Sequence, residues 1–228
     1  MSGAAFTIGS RRALVLAVGV LPFGIVYGVA AADSGVGAGP GLLGSLAIFA
    51  GASQLSLLEL HLDGAAWTVA VGTALVINAR FILYSAALSP AFTEFPAPWR
   101  FGLCHLMTDQ AATLSLIEFD TQRDPVERRW FYLGAALTLF GFWQFGTLVG
   151  ILGGAQVPDG LQLGFIIPLM FTALSAPAIR DRPAVTAAVV SVGVTIGTSW
   201  LPAGTNILLG ALIGVATGAL VTPTGTRT

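Results

Sequence analysis

One charged side chain lies inside an apolar stretch of this sequence. Arg80 falls within residues 74–88, among alanine, valine, isoleucine and leucine. An arginine at the centre of a bilayer costs at least ~2.5 kcal/mol, and such residues generally face a partner or a water-filled path. Its planar guanidinium can donate two parallel hydrogen bonds to one carboxylate. Arg80 therefore predicts either a buried ion pair or a site that binds a carboxylate.

Asp109 is the predicted partner of Arg80. Because each helical residue rises ~1.5 Å, about eight residues on either side of the loop at 90–100 place both side chains ~12 Å below one surface. Opposite charges at equal depth keep each other ionised. Two functions fit equally well. The pair could be fixed and specify helix packing, or it could open for a zwitterion, with a carboxylate at Arg80 and an ammonium group or proton at Asp109.

The helix around Arg80 is polar on two sides. Asn78 and Ser85 are spaced to share one face, and Arg80 and Tyr84 to share another. This pattern predicts a central helix, because lipid contact does not favour polar groups on two faces. The polar groups either bind a substrate or form ordinary hydrogen bonds between helices.

Two further clusters are candidates for the same site. His105 precedes Asp109 by one helical turn, which predicts either a proton relay or a histidine held by a backbone carbonyl near the outer interface. Ser53 and Gln54 follow small residues, and the Gln54 amide could bind a substrate amide or carboxylate. The segment 22–24, Pro-Phe-Gly, predicts a kink or a break in the first apolar run.

An enzyme is a weaker hypothesis. Ser53 follows Gly-Ala and could pair with His105 as in an intramembrane serine protease, but Gln54 stands where that pattern requires glycine. Asp109 is the only central carboxylate, which argues against an aspartyl protease. No metal-ligand spacing surrounds Cys104, the single cysteine. We expect no catalytic activity, no metal and no organic cofactor.

The composition identifies the environment. The chain has 228 residues, of which 55% are hydrophobic and 9% charged, with a net charge of -1. Soluble domains carry about 25% charged residues, so the lipid bilayer must be the main solvent. The balanced charge argues against a nucleic-acid partner.

Apolar runs long enough to span a bilayer need roughly 20 residues. They predict an all-α polytopic membrane protein with about eight (seven or eight) transmembrane helices, in which the second, sixth and seventh runs are the best candidates for a re-entrant or broken helix. The runs cover residues 12–32, 40–60, 65–88, 101–119, 130–154, 161–179, 184–200 and 204–221.

Arginine placement predicts a cytoplasmic N-terminus. If every run spans the membrane, Arg100 alone falls outside and Arg80 lies in the membrane. The remaining arginines fall inside: Arg11, Arg12, Arg123, Arg128, Arg129, Arg180, Arg182 and Arg227.

Residues 1–228 are predicted to form a single transporter domain with two possible repeats, at about 12–119 and 130–221. Residues 23–28 resemble residues 145–150, and Phe49 and Ser53 fall on Phe171 and Ser175 at the same offset. Chance alignment of common membrane residues explains the match equally well. With all runs spanning, the two repeats would be parallel.

The motifs resemble a known family when they are read in order. They are Pro22-Phe23-Gly24-x-x-Tyr27-Gly28, the run Phe49 to Gln54, Asn78-Ala79-Arg80 with Tyr84-Ser85, and Thr108-Asp109. This set resembles the AzlC family of membrane proteins, which are described as azaleucine-resistance proteins or branched-chain amino acid permeases. The resemblance extends from about residue 10 to the C-terminus and is most specific in the first half.

The resemblance implies export of branched-chain or related apolar amino acids across the cytoplasmic membrane of a prokaryote. It also implies a small AzlD-type membrane protein as partner. In the family a second acidic residue often follows Thr-Asp, whereas Gln110 stands here, which argues against a two-carboxylate proton scheme. We expect Ser53, Gln54, Asn78, Arg80 and Tyr84 to bind the substrate, and Asp109 and His105 to couple protons. A non-transporting scaffold or assembly subunit is the alternative.

Overall fold

The fold is known from a computed structural model. It describes residues 2–121, 124–154, 179, 181–201 and 204–221. These residues are mainly helical and contain no strand, which confirms the all-α fold. The predicted sixth run lies outside the described residues, except for its last residue.

The helices differ in length from the predicted runs. Several predicted runs appear as two shorter helices, and the first and fifth as one long helix each. The helices are α1 (Ser2–Asp33), α2 (Ala38–Ile48), α3 (Gly51–Leu62), α4 (Trp67–Asn78), α5 (Arg80–Phe92), α6 (Ala97–His105), α7 (Asp109–Phe119), α8 (Pro125–Gly154), α9 (Arg182–Gly197) and α10 (Thr205–Val221).

Three of the described segments are long and apolar enough to cross a membrane by themselves, namely Ser2–Asp33, Trp67–Phe92 and Pro125–Gly153. The described residues form two compact units. Unit 1 contains residues 2–54, 78–121 and 124–154, and unit 2 contains residues 55–77, 179, 181–201 and 204–221. All the predicted site residues belong to unit 1.

Helices α1 and α8 form the core of unit 1 and run in parallel. Gly24 lies beside Gly146, and Gly28 lies beside Gly150, so the register is constant along the pair. A methyl group on any of these glycines would meet backbone atoms of the other helix. Small residues of this kind let two membrane helices approach to backbone contact.

The first helix continues through Pro22 without interruption, so a break at this position is wrong. Packing against α8 explains this, because buried contacts hold α1 on both sides of the proline, at Ala17 and Gly24. The glycines of the two similar segments, 23–28 and 145–150, meet each other in this helix pair. The repeat stays a prediction, since residues 171 and 175 lie outside the described residues.

The end of unit 1 where α1 and α8 begin is called the basal end here. The ring of Phe6 contacts that of Trp130 there, with centroids 6.4 Å apart. The chain returns to this end after α5, because Phe92 packs on Tyr132 with centroids 5.1 Å apart. It also starts α6 there, since Trp99 packs on Trp130 at 5.0 Å.

The fourth run differs most from the prediction. A single helix over 101–119 is replaced by a hairpin, in which α6 begins at the basal end and α7 returns to it. Arg128, near the start of α8, donates to the carbonyl of Phe119 at 3.2 Å and pairs with Glu94 at 3.4 Å. The segment 93–100 therefore lies at the same end as residues 118–130, and the assignment of Arg100 to the opposite side is wrong.

Unit 2 contains the packed pair α9 and α10. The Asp181 carboxylate caps α9 by accepting from the backbone N–H of Ala184 at 2.8 Å. On α10, buried Gly210 and Gly214 face Thr195 and Ser191 of α9. Close packing through small residues therefore recurs in this unit.

Candidate functional site

Two of the helix ends in unit 1 carry the central charges. Arg80 is the first residue of α5, and Asp109 is the first residue of α7. The Nη1 atom of Arg80 lies 3.0 Å from Oδ2 of Asp109, which forms an ion pair. The two side chains are 30% and 33% exposed, so the pair is reachable from outside the packed core.

A helix terminus and the opposite charges together explain this pairing. Thr108 caps α7, because its hydroxyl accepts from the backbone N–H of Ala111 at 3.2 Å. Asp109 then lies in the first turn of α7, where the helix dipole favours a carboxylate. Arg80 follows Ala79, whose backbone is right-handed helical, so the attraction between the opposite charges is what favours the pair.

The pair lies deeper than the sequence spacing suggests. Helix α5 runs from Arg80 to Phe92 and α7 from Asp109 to Phe119, both toward the basal end. At ~1.5 Å per residue, the charges lie ~15–18 Å along these helices from that end. About 15 Å is half of the hydrocarbon core of a bilayer. The predicted pairing is found, but it arises from two parallel helices rather than from a simple hairpin.

Several buried polar atoms of the predicted site residues are unsatisfied. Among the described residues, no hydrogen-bond partner exists for two donors, Arg80 Nε and Gln54 Nε2. The same holds for two acceptors, Asp109 Oδ1 and Asn78 Oδ1. Buried polar groups are nearly always paired in native structures. Arg80 Nε and Asp109 Oδ1 belong to the ion pair, and Asn78 lies two residues before Arg80. Gln54 instead lies at the break between α2 and α3, where it contacts Ala50 and Tyr27.

Tyr84 joins the site as its spacing predicts. It lies one turn after Arg80 on α5, and its hydroxyl interacts with the Asp109 carboxylate. Ser85 instead donates to the sulfur of Met107 at 3.8 Å. That contact ties α5 to the segment between α6 and α7.

Ser53 and Gln54 organise the break between α2 and α3. The Gln54 amide oxygen accepts from the backbone N–H of Ala50 at 3.0 Å, and the Ser53 hydroxyl donates to the Ala50 carbonyl at 2.9 Å. Both side chains are buried. Phe49 between the helices has φ 39°, a left-handed conformation that costs a bulky residue energy. These side-chain contacts thus stabilise the break between α2 and α3.

His105 contacts a backbone carbonyl, as the second of its two predicted roles requires. It ends α6, and its Nε2 atom lies 3.0 Å from the carbonyl oxygen of Leu46 in α2. The shared helix face with Asp109 is wrong, because the helix is interrupted at residues 106–108 and the four-residue spacing no longer implies contact. His105 instead connects the ends of α6 and α2.

The described hydrogen bonds do not pair Ser53 with His105. A serine nucleophile requires a base within hydrogen-bond reach of its hydroxyl. The Ser53 hydroxyl donates to a backbone carbonyl, and the contact described for His105 is to another backbone carbonyl. Sequence spacing alone could not exclude that pairing.

Sequence reasoning missed two ion pairs at the basal end. Arg12 of α1 pairs with Glu118 of α7, and Arg128 of α8 pairs with Glu94. Both acids lie near the ends of apolar runs, where charged residues usually face solvent, so nothing in their pattern predicted partners. Arg129 nearby lies over the ring of Trp99 at 5.0 Å.

A helical protein with several apolar spans, interrupted helices and an ion pair far from the helix ends at its basal side is a polytopic membrane protein with a polar site. The family model described as AzlC protein matches residues 15–157, which is more than half of the chain. The chain belongs to the AzlC family.

Three relatives agree with a membrane location. The inner membrane protein YgaZ of Escherichia coli (strain K12) is 25% identical over 95% of this chain and 91% of its own length. An uncharacterized membrane protein of Archaeoglobus fulgidus is 29% identical over 78% of each chain. An uncharacterized membrane protein of Helicobacter pylori (strain 26695) is 27% identical over 75% of this chain and 74% of its own. No solved structure matches this chain.

Proposed function

We propose that this protein is the large subunit of an exporter for branched-chain or related apolar amino acids, driven by the proton gradient. It acts in the cytoplasmic membrane of a prokaryote, with its N-terminus in the cytoplasm. Its function is transport rather than catalysis. A small AzlD-type membrane protein is its proposed partner.

The observation that carries this proposal is the half-buried ion pair of Arg80 and Asp109 with unsatisfied atoms on both partners. Arg80 Nε can still donate, and Asp109 Oδ1 can still accept. An amino acid has one carboxylate and one ammonium group, which match these two atoms in charge. Asn78 Oδ1, two residues before Arg80, offers a further acceptor.

The helix ends support the same chemistry. The N-terminus of α7 carries a positive dipole end, and the C-terminus of α6 carries a negative one. Interrupted helices at half depth bind zwitterions and ions in many transporters through these dipole ends. The substrate carboxylate would meet Arg80, its ammonium group would meet Asp109, and Tyr84 would hold the carboxylate of Asp109 in place.

Proton coupling is assigned to Asp109. A proton on this carboxylate would remove the charge that meets the substrate's ammonium group, so a proton and a substrate would compete for Asp109, as the exchange of inward protons for outward amino acids requires. Binding and protonation would then be linked through one ion pair. His105 is a second candidate for proton transfer, although its described contact is to Leu46.

Amino acid efflux from loaded vesicles tests the proposal. The protein is reconstituted with its partner, and release of leucine, valine and methionine is followed with and without a pH gradient. We expect Arg80→Ala and Asp109→Asn each to lower the efflux rate by about 100-fold, since a buried charge left without its partner costs ~3 kcal/mol or more. Asp120→Asn, which changes an exposed acid just after α7, should leave the rate unchanged.

The outcomes separate the proposed functions. Loss of efflux in a variant that still purifies as a folded complex supports a transport site. Full efflux in Asp109→Asn rejects the site and, if the partner alone also transports, favours a scaffold subunit. The exchange of both residues, Arg80→Asp with Asp109→Arg, should restore folding but not efflux, because it reverses the positions of the cation and the anion relative to Asn78 and Tyr84.

A further inference from the structure

The helices that carry the central charges are attached to the α1–α8 pair at their far ends. Helix α7 begins at Asp109 and carries Glu118 near its end, where it pairs with Arg12 of α1. Helix α5 begins at Arg80, and Glu94 follows its end, where it pairs with Arg128 of α8 at 3.4 Å. Each charged helix thus has one ion pair at the centre and one at the basal end.

Each basal ion pair has one partner that is mostly covered and one that is exposed. Glu118 is 11% exposed and Arg12 is 50% exposed, while Arg128 is 18% exposed and Glu94 is 46% exposed. Ion pairs between exposed residues are typically worth up to ~1 kcal/mol, and the exposed partners Arg12 and Glu94 are hydrated on the outer side of each pair. These contacts can therefore open reversibly, whereas the backbone contact between α1 and α8 cannot separate without loss of the core.

Two buried hydroxyls belong to the helix faces that these ion pairs join. Ser115 of α7 is fully buried one turn before Glu118, and its Oγ has no hydrogen-bond partner among the described residues. The Tyr132 hydroxyl of α8 also has no hydrogen-bond partner among the described residues, and the Tyr132 ring packs on that of Phe92 at the end of α5. Leaving such groups unpaired costs about 1–3 kcal/mol each. Water would satisfy both if α5 and α7 moved away from the pair.

We propose that the interface of α5 and α7 with the α1–α8 pair is the access route to the Arg80–Asp109 site from the basal side. The ion pairs Arg12–Glu118 and Arg128–Glu94 are the gate that closes it. When both open, Ser115 and Tyr132 line a wetted passage along α7 and α8. The role of this route for a substrate rests on the proposed function, but its opening to water does not.

Cysteine labelling tests the gate without any transport measurement. The single native cysteine, Cys104, is exposed and is first replaced by alanine. Ser115→Cys is then treated with a membrane-impermeant thiol reagent in right-side-out and inverted vesicles. We expect slow reaction in this background and about tenfold faster reaction after Glu94→Gln and Glu118→Gln together, from two pairs of ~1 kcal/mol or less each. The faster reaction should occur only from the face that exposes the N-terminus.

A second buried serine is the matched control. Ser45 of α2 is fully buried in unit 1 and hydrogen-bonded to Trp143 and Thr147. Ser45→Cys should stay unreactive when the acids are neutralised. Exchanging the charges of one pair, with Arg12→Glu and Glu118→Arg, should re-form that ion pair and return Ser115→Cys to slow labelling.

The proposal is overturned if neutralising both acids leaves Ser115→Cys unreactive from the basal side. It is also overturned if Ser45→Cys becomes reactive to the same degree, since that indicates general loosening. Absence of amino acid efflux in the wild type would reject the proposed substrate, while faster Ser115→Cys labelling would still establish the gate.

Discussion

The α1–α8 pair and the helices around it represent two ways to build a membrane protein. Helices α1 and α8 are long, uninterrupted and joined by glycines at backbone contact. The runs beside them are interrupted near Phe49, Ala79 and Met107. Four of the polar side chains predicted to act, namely Asn78, Arg80, His105 and Asp109, flank two of these interruptions. The uninterrupted helices thus form the rigid core, and the interrupted helices carry the candidate site.

The physical reason is the need to satisfy backbone groups in lipid. An uninterrupted helix pairs nearly all of its own N–H and carbonyl groups, so it has none to offer a ligand. An interrupted helix exposes such groups at half depth, but it must then be positioned by something else. The α1–α8 pair supplies that support through the contacts of α2, α5 and α7 with it.

The largest effect should come from separating α1 and α8. Gly150→Leu introduces a side chain against the backbone of Ile25 and Gly28. Overpacking typically costs 1–3 kcal/mol, and a clash with backbone should cost about 3 kcal/mol or more. We expect loss of the monodisperse protein in detergent and a large fall in its melting temperature.

Gly153→Leu is the control on the same helix, because open space surrounds Gly153. Its melting temperature should stay close to that of the wild type. Equal stability of the two variants would mean that the glycine contact does not hold the pair together, and the contrast with the interrupted helices would lose its basis.

The sequence predicts the charged pair of the site better than it predicts the course of the helices that carry this pair. Charge and spacing were enough to pair Arg80 with Asp109, because a charge in lipid needs a partner whatever the topology. The interruption at residues 106–108 has one local signal, Thr108, a residue type that is common at helix N-caps, whereas Leu106 and Met107 carry none. A single signal of this kind does not predict the hairpin of α6 and α7 or the placement of Arg100 at the basal end. Conversely, Pro22 suggested a break that the packing of α1 on α8 prevents.

A moderate effect is expected at the start of α7. Thr108→Ala removes the hydroxyl that accepts from the Ala111 N–H, and loss of such a cap costs ~1 kcal/mol. Because Asp109 is the next residue, the loss should also disturb its pairing with Arg80. We expect a melting temperature a few degrees lower and about a fivefold lower efflux rate, as ~1 kcal/mol corresponds to that factor.

Thr108→Ser keeps the accepting oxygen and is the matched control. It should retain both stability and efflux. If Ala and Ser at this position behave alike, the cap does not position Asp109, and the geometry of the pair depends on α5 alone.

The smallest effect, and the most informative, concerns His105. Its ring contacts the Leu46 carbonyl, so a neutral donor of similar reach should replace it if its role is to hold α6 against α2. We expect His105→Gln to keep the efflux rate within about twofold and His105→Ala to lower it by about fivefold, the scale of one lost hydrogen bond. If His105 relays protons, both variants should lower the efflux rate equally and change its pH dependence, because neither glutamine nor alanine titrates. Efflux measured between pH 5 and 8 for the two variants therefore decides whether His105 belongs with the supporting contacts or with the chemistry at Asp109.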